Sequence, residues 1–296
     1  MNTSLRPSGV ALPPSELILR ADGSLYHLGI RPEHVAENVV IVGDPDRVPI
    51  VSAMFDEVEH CINSREFVVH TGRFGDKRIT VVSSGIGVDN IDIVINELDA
   101  AVNVDLSTRS IAATTKSLRI VRIGTSGTLQ RDIPVGSVVA SRYAFGLDGV
   151  AHSYDAQYTP DEASLDKALQ DRFSWLKGHS GLYTVAADAE LFDQMSAGAI
   201  AGITATANGF YGPQGRSLRM RSNMDGRLDE YAAFSFQGVP ITNLEMECAG
   251  IYALASLLGH RACTLCLILA NRITKEFHND PSASMQALIR QVLERF

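Results

Sequence analysis

The side chains that could do chemistry gather in a few short segments. Arg122 stands two residues ahead of Gly124-Thr125-Ser126-Gly127, near the end of the run Leu118-Arg119-Ile120-Val121-Arg122-Ile123. That run suits a strand, and Gly-Thr-Ser-Gly predicts a tight turn directly after it. An arginine beside bare backbone N–H groups and hydroxyls is a place for an anion shaped like phosphate. A structural arginine at an ordinary glycine turn fits the same residues. Gly43-Asp44-Pro45-Asp46-Arg47 repeats the combination. Here a glycine lets a ligand approach the backbone, Asp44 or Asp46 can cap a following helix, Pro45 suits its first turn, and Arg47 brings charge. A capped strand-to-helix turn with a surface arginine is the plainer alternative.

A third segment, Asn208-Gly209-Phe210-Tyr211-Gly212-Pro213-Gln214-Gly215-Arg216, sets an aromatic pair beside an amide and a guanidinium on a loop punctuated by glycine. Recognition of a flat, polar heterocycle needs a ring to stack on and an edge of donors and acceptors. An ordinary solvated turn accounts for the residues as well. In Glu245-Met246-Glu247, carboxylates where a strand gives way to a helix can serve as dipole partners, or can accept both hydroxyls of a ribose. Cys263 and Cys266 form a C-x-x-C, but their apolar surroundings predict a buried strand, in which positions three apart face opposite ways. No second pair has zinc spacing, so these cysteines are assigned to the core.

These segments need elements to hold them. Residues 39–42, all valine or isoleucine, predict a strand covered on both faces. Residues 64–73 and 77–82 predict a hairpin closed around 74–76. From 89 to 104 the apolar positions Ile91, Val94, Ile95, Leu98 and Val102 recur at helical spacing, and with the strands on either side they make a βαβ unit. Residues 106–116, 148–160 and 204–221 read as loops or irregular chain. Further strands are expected at 135–140, 180–186, 239–244 and 261–270, and further helices at 165–176, after 245, and at 284–296. The alternation predicts an α/β fold, a single domain with a central mixed β-sheet flanked by helices. Residues 1–25, with three prolines, two glycines and little periodicity, are expected to be an N-terminal extension or flexible arm, with the domain running from 26 to 296.

A chain of 296 residues with 45% hydrophobic and 20% charged residues can bury a sizeable core, and four cysteines agree with a reducing compartment. The net charge of −8 and pI near 5.5 speak against nucleic acid as a partner. No apolar run approaches the roughly 20 residues that span a bilayer, and the first twenty residues lack a signal peptide's apolar centre. The expectation is a soluble, cytoplasmic protein with no membrane partner.

Taken together, Gly43-Asp44-Pro45-Asp46-Arg47, Ser64-Arg65-Glu66-Phe67, Arg122-Ile123-Gly124-Thr125-Ser126-Gly127, Phe210-Tyr211 with Gln214 and Arg216, and Glu245-Met246-Glu247 resemble the nucleoside phosphorylase-I family, nearest to its uridine-cleaving members. The matches run in order from about Tyr26 to Thr274, and five segments agreeing is far more specific than any one of them. The resemblance implies a pentosyltransferase of pyrimidine salvage. Inorganic phosphate attacks the anomeric carbon of uridine, with deoxyuridine and thymidine as further candidates, and uracil and ribose 1-phosphate leave. Phosphate is then a co-substrate, and no metal or other cofactor is implied.

The resemblance also assigns roles. Gly43, Arg47, Arg122 and Thr125 bind phosphate, with Arg65 reaching in from a neighbouring subunit. Met246 and Glu247 hold the ribose, and His27, again from the neighbour, meets its 5′-hydroxyl. Phe210 stacks on the base while Gln214 and Arg216 read its edge, helped by Arg272 through water. Arg216, Gln214 and Arg122 are the expected catalytic residues. Such an enzyme is a homo-oligomer, a hexamer built as a trimer of dimers before a simple dimer, and a monovalent cation near Glu66 and Ile86 at a subunit interface is left open. Asn271 stands where purine-cleaving hexameric members carry aspartate, which favours pyrimidines. Val88-Asp89-Asn90, the loop 217–221 and the longer N-terminal arm depart from the family pattern. Two alternatives remain: a purine or methylthioadenosine-type phosphorylase or nucleosidase, and a nucleoside-binding relative without turnover.

Overall fold

The computed structural model describes residues 5–224 and 226–296. In chain order the elements are β1 (Asn38–Val42), α1 (Arg47–Ser52), β2 (Glu57–Ser64), β3 (Phe67–Phe74), β4 (Lys77–Ser83), α2 (Val88–Asn103), β5 (Val104–Asp105), β6 (Ser110–Ile111), β7 (Arg119–Thr128) and β8 (Val138–Gly146). They continue with α3 (Pro160–Arg172), β9 (Tyr183–Ala186), α4 (Ala189–Met195), β10 (Ile200–Thr206), α5 (Arg227–Ala232), β11 (Ser235–Phe236), β12 (Val239–Glu245), α6 (Cys248–Leu257), β13 (Arg261–Asn271) and α7 (Ser282–Arg295).

All strands but β5 and β6 join one eleven-stranded sheet, ordered β11-β12-β10-β8-β13-β7-β1-β4-β3-β2, with β9 beside β8. Because β12 also pairs with β7, the strands β7, β13, β8, β10 and β12 close into a ring. Parallel pairs such as β1 with β4 and β7 coexist with the antiparallel β2–β3–β4 meander, so the sheet is mixed. Strand alternation sorts β1 between two cores: Val39 and Ile41 pack with α2 and α6, Val40 and Val42 with α1, α4 and α7. Helices therefore cover both faces. Cys263 belongs to the second of these cores, whereas Cys266 turns the other way, towards Arg122.

Three expectations are corrected. First, Gly124-Thr125-Ser126-Gly127 is not a turn: β7 continues through it, pairing Gly124 with Cys266 and Ser126 with Ile268 of β13. The glycine answers a close approach instead, since a Cβ at residue 124 would lie 2.0 Å from Nη1 of Arg122, two positions back on the same face. Second, the hairpin has another strand before it, and Arg65-Glu66 is the turn between β2 and β3. Third, the described part of the N-terminal segment, residues 5–25, is no free arm. Leu17 and Leu25 are buried with α2, and backbone bonds from Gly9 to Ile111 and from Leu12 to Arg109 tie it down. Among the described residues no helix is long and apolar enough to cross a membrane.

Candidate active site

The carboxyl ends of β1, β4, β7, β12 and β13 converge, as the ends of parallel strands in an α/β sheet do where ligands bind. They border a cleft of about 730 Å³ lined by Gly43, Arg47, Arg122, Thr125, Phe210, Gln214, Arg216, Met246 and Glu247. Segments more than two hundred residues apart in sequence thus share one hollow. His27, Arg65 and Arg272 lie outside it.

At the inner wall Arg122 is only 3% exposed. Its Nη2 donates to Glu247 Oε2, and its Nη1 lies 3.2 Å from Glu245 Oε2. Burial by itself would lower the arginine's pKa, but the carboxylates of Glu247 and Glu245 outweigh it and hold the guanidinium above its ordinary value. Burial raises the Glu245 carboxyl, with Arg122 opposing. Both carboxylates are fastened to the backbone. Glu245 accepts from the N–H groups of Glu247 and Cys248 at 2.9 Å and from the Thr206 hydroxyl at 2.6 Å, while Glu247 accepts from Gly87 N–H at 2.7 Å. Glu245 thus steadies the first turn of α6, and the second oxygen of Glu247 is the one that accepts from Arg122.

Arg47 opens α1 and differs from Arg122 in one respect: it makes no ion pair among the described residues. Its Nη1 reaches only the carbonyl of Ile123, at 3.5 Å, and burial lowers its pKa, with Asp44 opposing. A largely buried guanidinium with no paired carboxylate among the described residues, close enough to Arg122 to feel its charge, is a position that an anion would relieve.

At the outer end the 208–216 loop folds back on itself. The Arg216 guanidinium carbon sits 3.8 Å from the centre of the Phe210 ring, and Nη1 donates to the Phe210 carbonyl at 2.6 Å and the Gln214 amide oxygen at 2.8 Å. Burial, then the charge of Arg272, push its pKa down to about 10. Arg272 stands behind the loop, donating to the carbonyls of Gln214 at 3.0 Å and Gly215 at 3.4 Å, so it braces the backbone that carries Gln214 and Arg216.

Asn271 does not reach the cleft. Its amide nitrogen donates to the carbonyls of Gln130 and Ile133, and its oxygen accepts from the N–H groups of Ile273 and Thr274. It staples the end of β13 to neighbouring chain, so whatever it says about the base is not said by contact. Sequence reasoning passed over Phe277, named Asn90 only as part of a departure from the family pattern, and offered Glu245 with Glu247 as a ribose acceptor without assigning it a role of its own; all three line the cleft. Phe277 carried no signal, being a single aromatic in a loop, although it is 63% exposed. Among the described residues no group of three or more His, Cys, Asp or Glu could hold a metal ion.

Comparison with known proteins agrees with this geometry. A model of the phosphorylase superfamily matches residues 37–295. The uridine phosphorylase of Thermococcus kodakarensis is 31% identical over 259 residues, covering 86% of this chain and 80% of that protein. A DeoD-type purine nucleoside phosphorylase of Clostridium perfringens is 28% identical over 251 residues, 84% of this chain and 88% of its own. Among solved structures, a Trypanosoma brucei nucleoside phosphorylase, reported to show uridine phosphorylase activity, superposes with a TM-score of 0.86 at 26% identity, over 94% of this chain and 98% of the other. A match that takes in every strand of the sheet and every segment bordering the cleft leaves one conclusion: the chain belongs to the phosphorylase superfamily.

Proposed function

We propose that this protein is a uridine phosphorylase, cleaving uridine with inorganic phosphate to uracil and ribose 1-phosphate. Breaking the glycosidic bond builds positive charge on the sugar and negative charge on the base, so the site needs an anionic nucleophile below one and donors beside the other. Arg47, Arg122, Thr125 and the backbone at Gly43 hold phosphate at the inner end, and Met246 and Glu247 hold the ribose between. Phe210 stacks on uracil, and Gln214 and Arg216 donate to its edge as it leaves an anion. Preorganised donors of this kind are typically worth about 3 kcal/mol each in a dry site.

The observation that carries the reading is the placing of Arg47 and Arg216, neither with a carboxylate partner among the described residues, in the same cleft as Glu247. The loop 208–216 contains no carboxylic acid to protonate a purine nitrogen, which supports a pyrimidine base. The likeness to a purine-cleaving relative keeps purine nucleosides as the second reading. Incubating the protein with uridine, thymidine, inosine and adenosine, each with phosphate, separates them: base release is expected from uridine first, and release from inosine or adenosine alone would replace the assignment.

His27 and Arg65, outside their own cleft, are assigned to a second copy's site, which makes the working enzyme a homo-oligomer, a hexamer built as a trimer of dimers, in the cytoplasm. The domain is taken as residues 26–296 and the N-terminal extension as 1–25, of which the described residues 5–25 are laid along the domain. Glu66 and Ile86 both border the cleft, where an interface cation would sit; one carboxylate there suits a monovalent ion, and no step depends on it.

A further inference from the structure

His27 lies outside the cleft of its own chain, yet it does not hang free. Glu97 of α2 accepts from its backbone N–H at 2.9 Å, from the Leu28 N–H at 2.8 Å and from the imidazole Nδ1 at 2.7 Å. On the other side, the His27 carbonyl accepts from the Ser64 hydroxyl and from Arg20 Nη2, the latter at 3.2 Å. Arg20 also donates to the Tyr26 carbonyl at 3.0 Å and to the Ser64 hydroxyl. Ser64 ends β2, and the next residue is Arg65, held at φ +54° with its guanidinium carbon 4.8 Å from the centre of the Tyr26 ring.

A carboxylate can only accept, so its bond to Nδ1 places a proton there, and in the neutral ring Nε2 is then the acceptor. Nε2 has no partner among the described residues, and the His27 side chain is 32% exposed against 13% for Glu97. The loop is thus clamped at backbone and ring together, with one acceptor atom left unpartnered beside a guanidinium that, among the described residues, pairs with no carboxylate.

We propose that Glu97 and Arg20 are positioning residues for the cleft of a second copy of this chain: Glu97 presents His27 Nε2, and Arg20, through Ser64, steadies His27 and the adjacent Arg65 guanidinium together. There Nε2 accepts a hydrogen bond donated by the 5′-hydroxyl of the nucleoside, and Arg65 meets phosphate. The proposal rests on the uridine phosphorylase reading. It gives the N-terminal segment work to do, because Arg20 belongs to it.

The test compares uridine with 5′-deoxyuridine, which lacks the hydroxyl, for the full-length wild type and for His27→Ala, Glu97→Ala, Glu97→Gln and the double variant His27→Ala/Glu97→Ala. Losing one such hydrogen bond is expected to lower kcat/KM for uridine roughly fivefold to tenfold in His27→Ala and in Glu97→Ala, and to leave 5′-deoxyuridine within about twofold. The double variant is expected to be no worse than His27→Ala, as for residues acting in series. Glu97→Gln keeps an accepting oxygen for Nδ1 and should fall between; it decides the matter if thermal melting shows Glu97→Ala unfolded. Equal losses on both substrates in the Glu97 variants, or no loss on either, would overturn the proposal. Arg20→Ala is expected to raise the phosphate KM as well, through Arg65, and an unchanged phosphate KM removes Arg20 from that role. If the wild type cleaved neither nucleoside, the activity reading itself would fail, an outcome distinct from wild-type cleavage with indifferent Glu97 variants.

Discussion

The two ends of the cleft hold their cations in different ways. Arg122 at the inner end is buried between Glu245 and Glu247, and those carboxylates are themselves fixed to the backbone of α6, to Gly87 and to Thr206. Arg216 at the outer end is half-buried, has only carbonyl and amide oxygens for partners, and rests on a Phe210 that is itself 50% exposed. The inner charges pair with one another in a closed network. Arg216, destabilised by burial and by Arg272, gains most from a negative charge arriving beside it. Arginine stays protonated in proteins, so the relief comes from a ligand rather than from losing a proton. A donor whose interaction strengthens as the base becomes an anion is what accelerates a reaction; a donor matched in the ground state is not. Under the proposed function the inner wall serves geometry, and the loop serves the transition state.

Substitutions can break that contrast or sharpen it. Arg122→Ala should have the largest effect, because it leaves two carboxylates buried without their counter-charge. Urea unfolding is expected to show a loss of about 3–5 kcal/mol, alongside a fall in kcat of about a thousandfold. An Arg122→Ala protein of unchanged stability would mean that the network is not closed. Arg216→Ala should cost turnover without costing the fold. Steady-state kinetics are expected to show kcat for uridine down by about 10²-fold, with Tm unchanged. Near-normal turnover would remove Arg216 from the base edge.

Arg47 tests the boundary between the two kinds of site, being largely buried like Arg122 but unpaired like Arg216. Arg47→Met is expected to raise the phosphate KM roughly tenfold to a hundredfold while leaving the phosphate-free protein as stable as wild type or more so. In wild type, phosphate at about a hundred times its Kd should add about 2.7 kcal/mol of stability, and thermal melts should lose most of that gain in the variant. An Arg47→Met protein that keeps the full phosphate shift would contradict the anion assignment. Phe210→Leu should have the smallest effect. Loss of ring stacking is expected to raise the uridine KM about twofold to tenfold without a change in Tm, since the ring is half exposed.

Much of this arrangement was legible in the sequence, and what was not has a physical cause. The all-apolar residues 39–42 and the helical spacing of Ile91, Val94, Ile95 and Leu98 report burial directly, and β1 and α2 follow them. Glycine-bearing strands were harder. Gly124-Thr125-Ser126-Gly127 resembles a turn because glycine usually marks one, whereas here it makes room for the folded-back guanidinium of Arg122. The strand β10 went unread for a related reason: its small residues lack alternation, and a Cβ at Gly202 would lie 2.0 Å from the Thr242 hydroxyl on the neighbouring strand β12. In both places the sequence lost its local signal because a long-range contact chose the residue. The residues that line the cleft were more legible than the strands that carry them. Arginines, glutamates and the Phe210 loop announce their chemistry by type, while Glu245 was seen as chemistry and is also the anchor of a helix.

The central claim, that phosphate rather than water is the nucleophile gathered by Arg47 and Arg122, is tested most directly by measuring uracil release from uridine with and without inorganic phosphate and identifying the sugar product. Release that requires phosphate, with ribose 1-phosphate formed in equal amount, is the expected result. Release at the same rate in phosphate-free buffer, with free ribose as the product, would contradict the account.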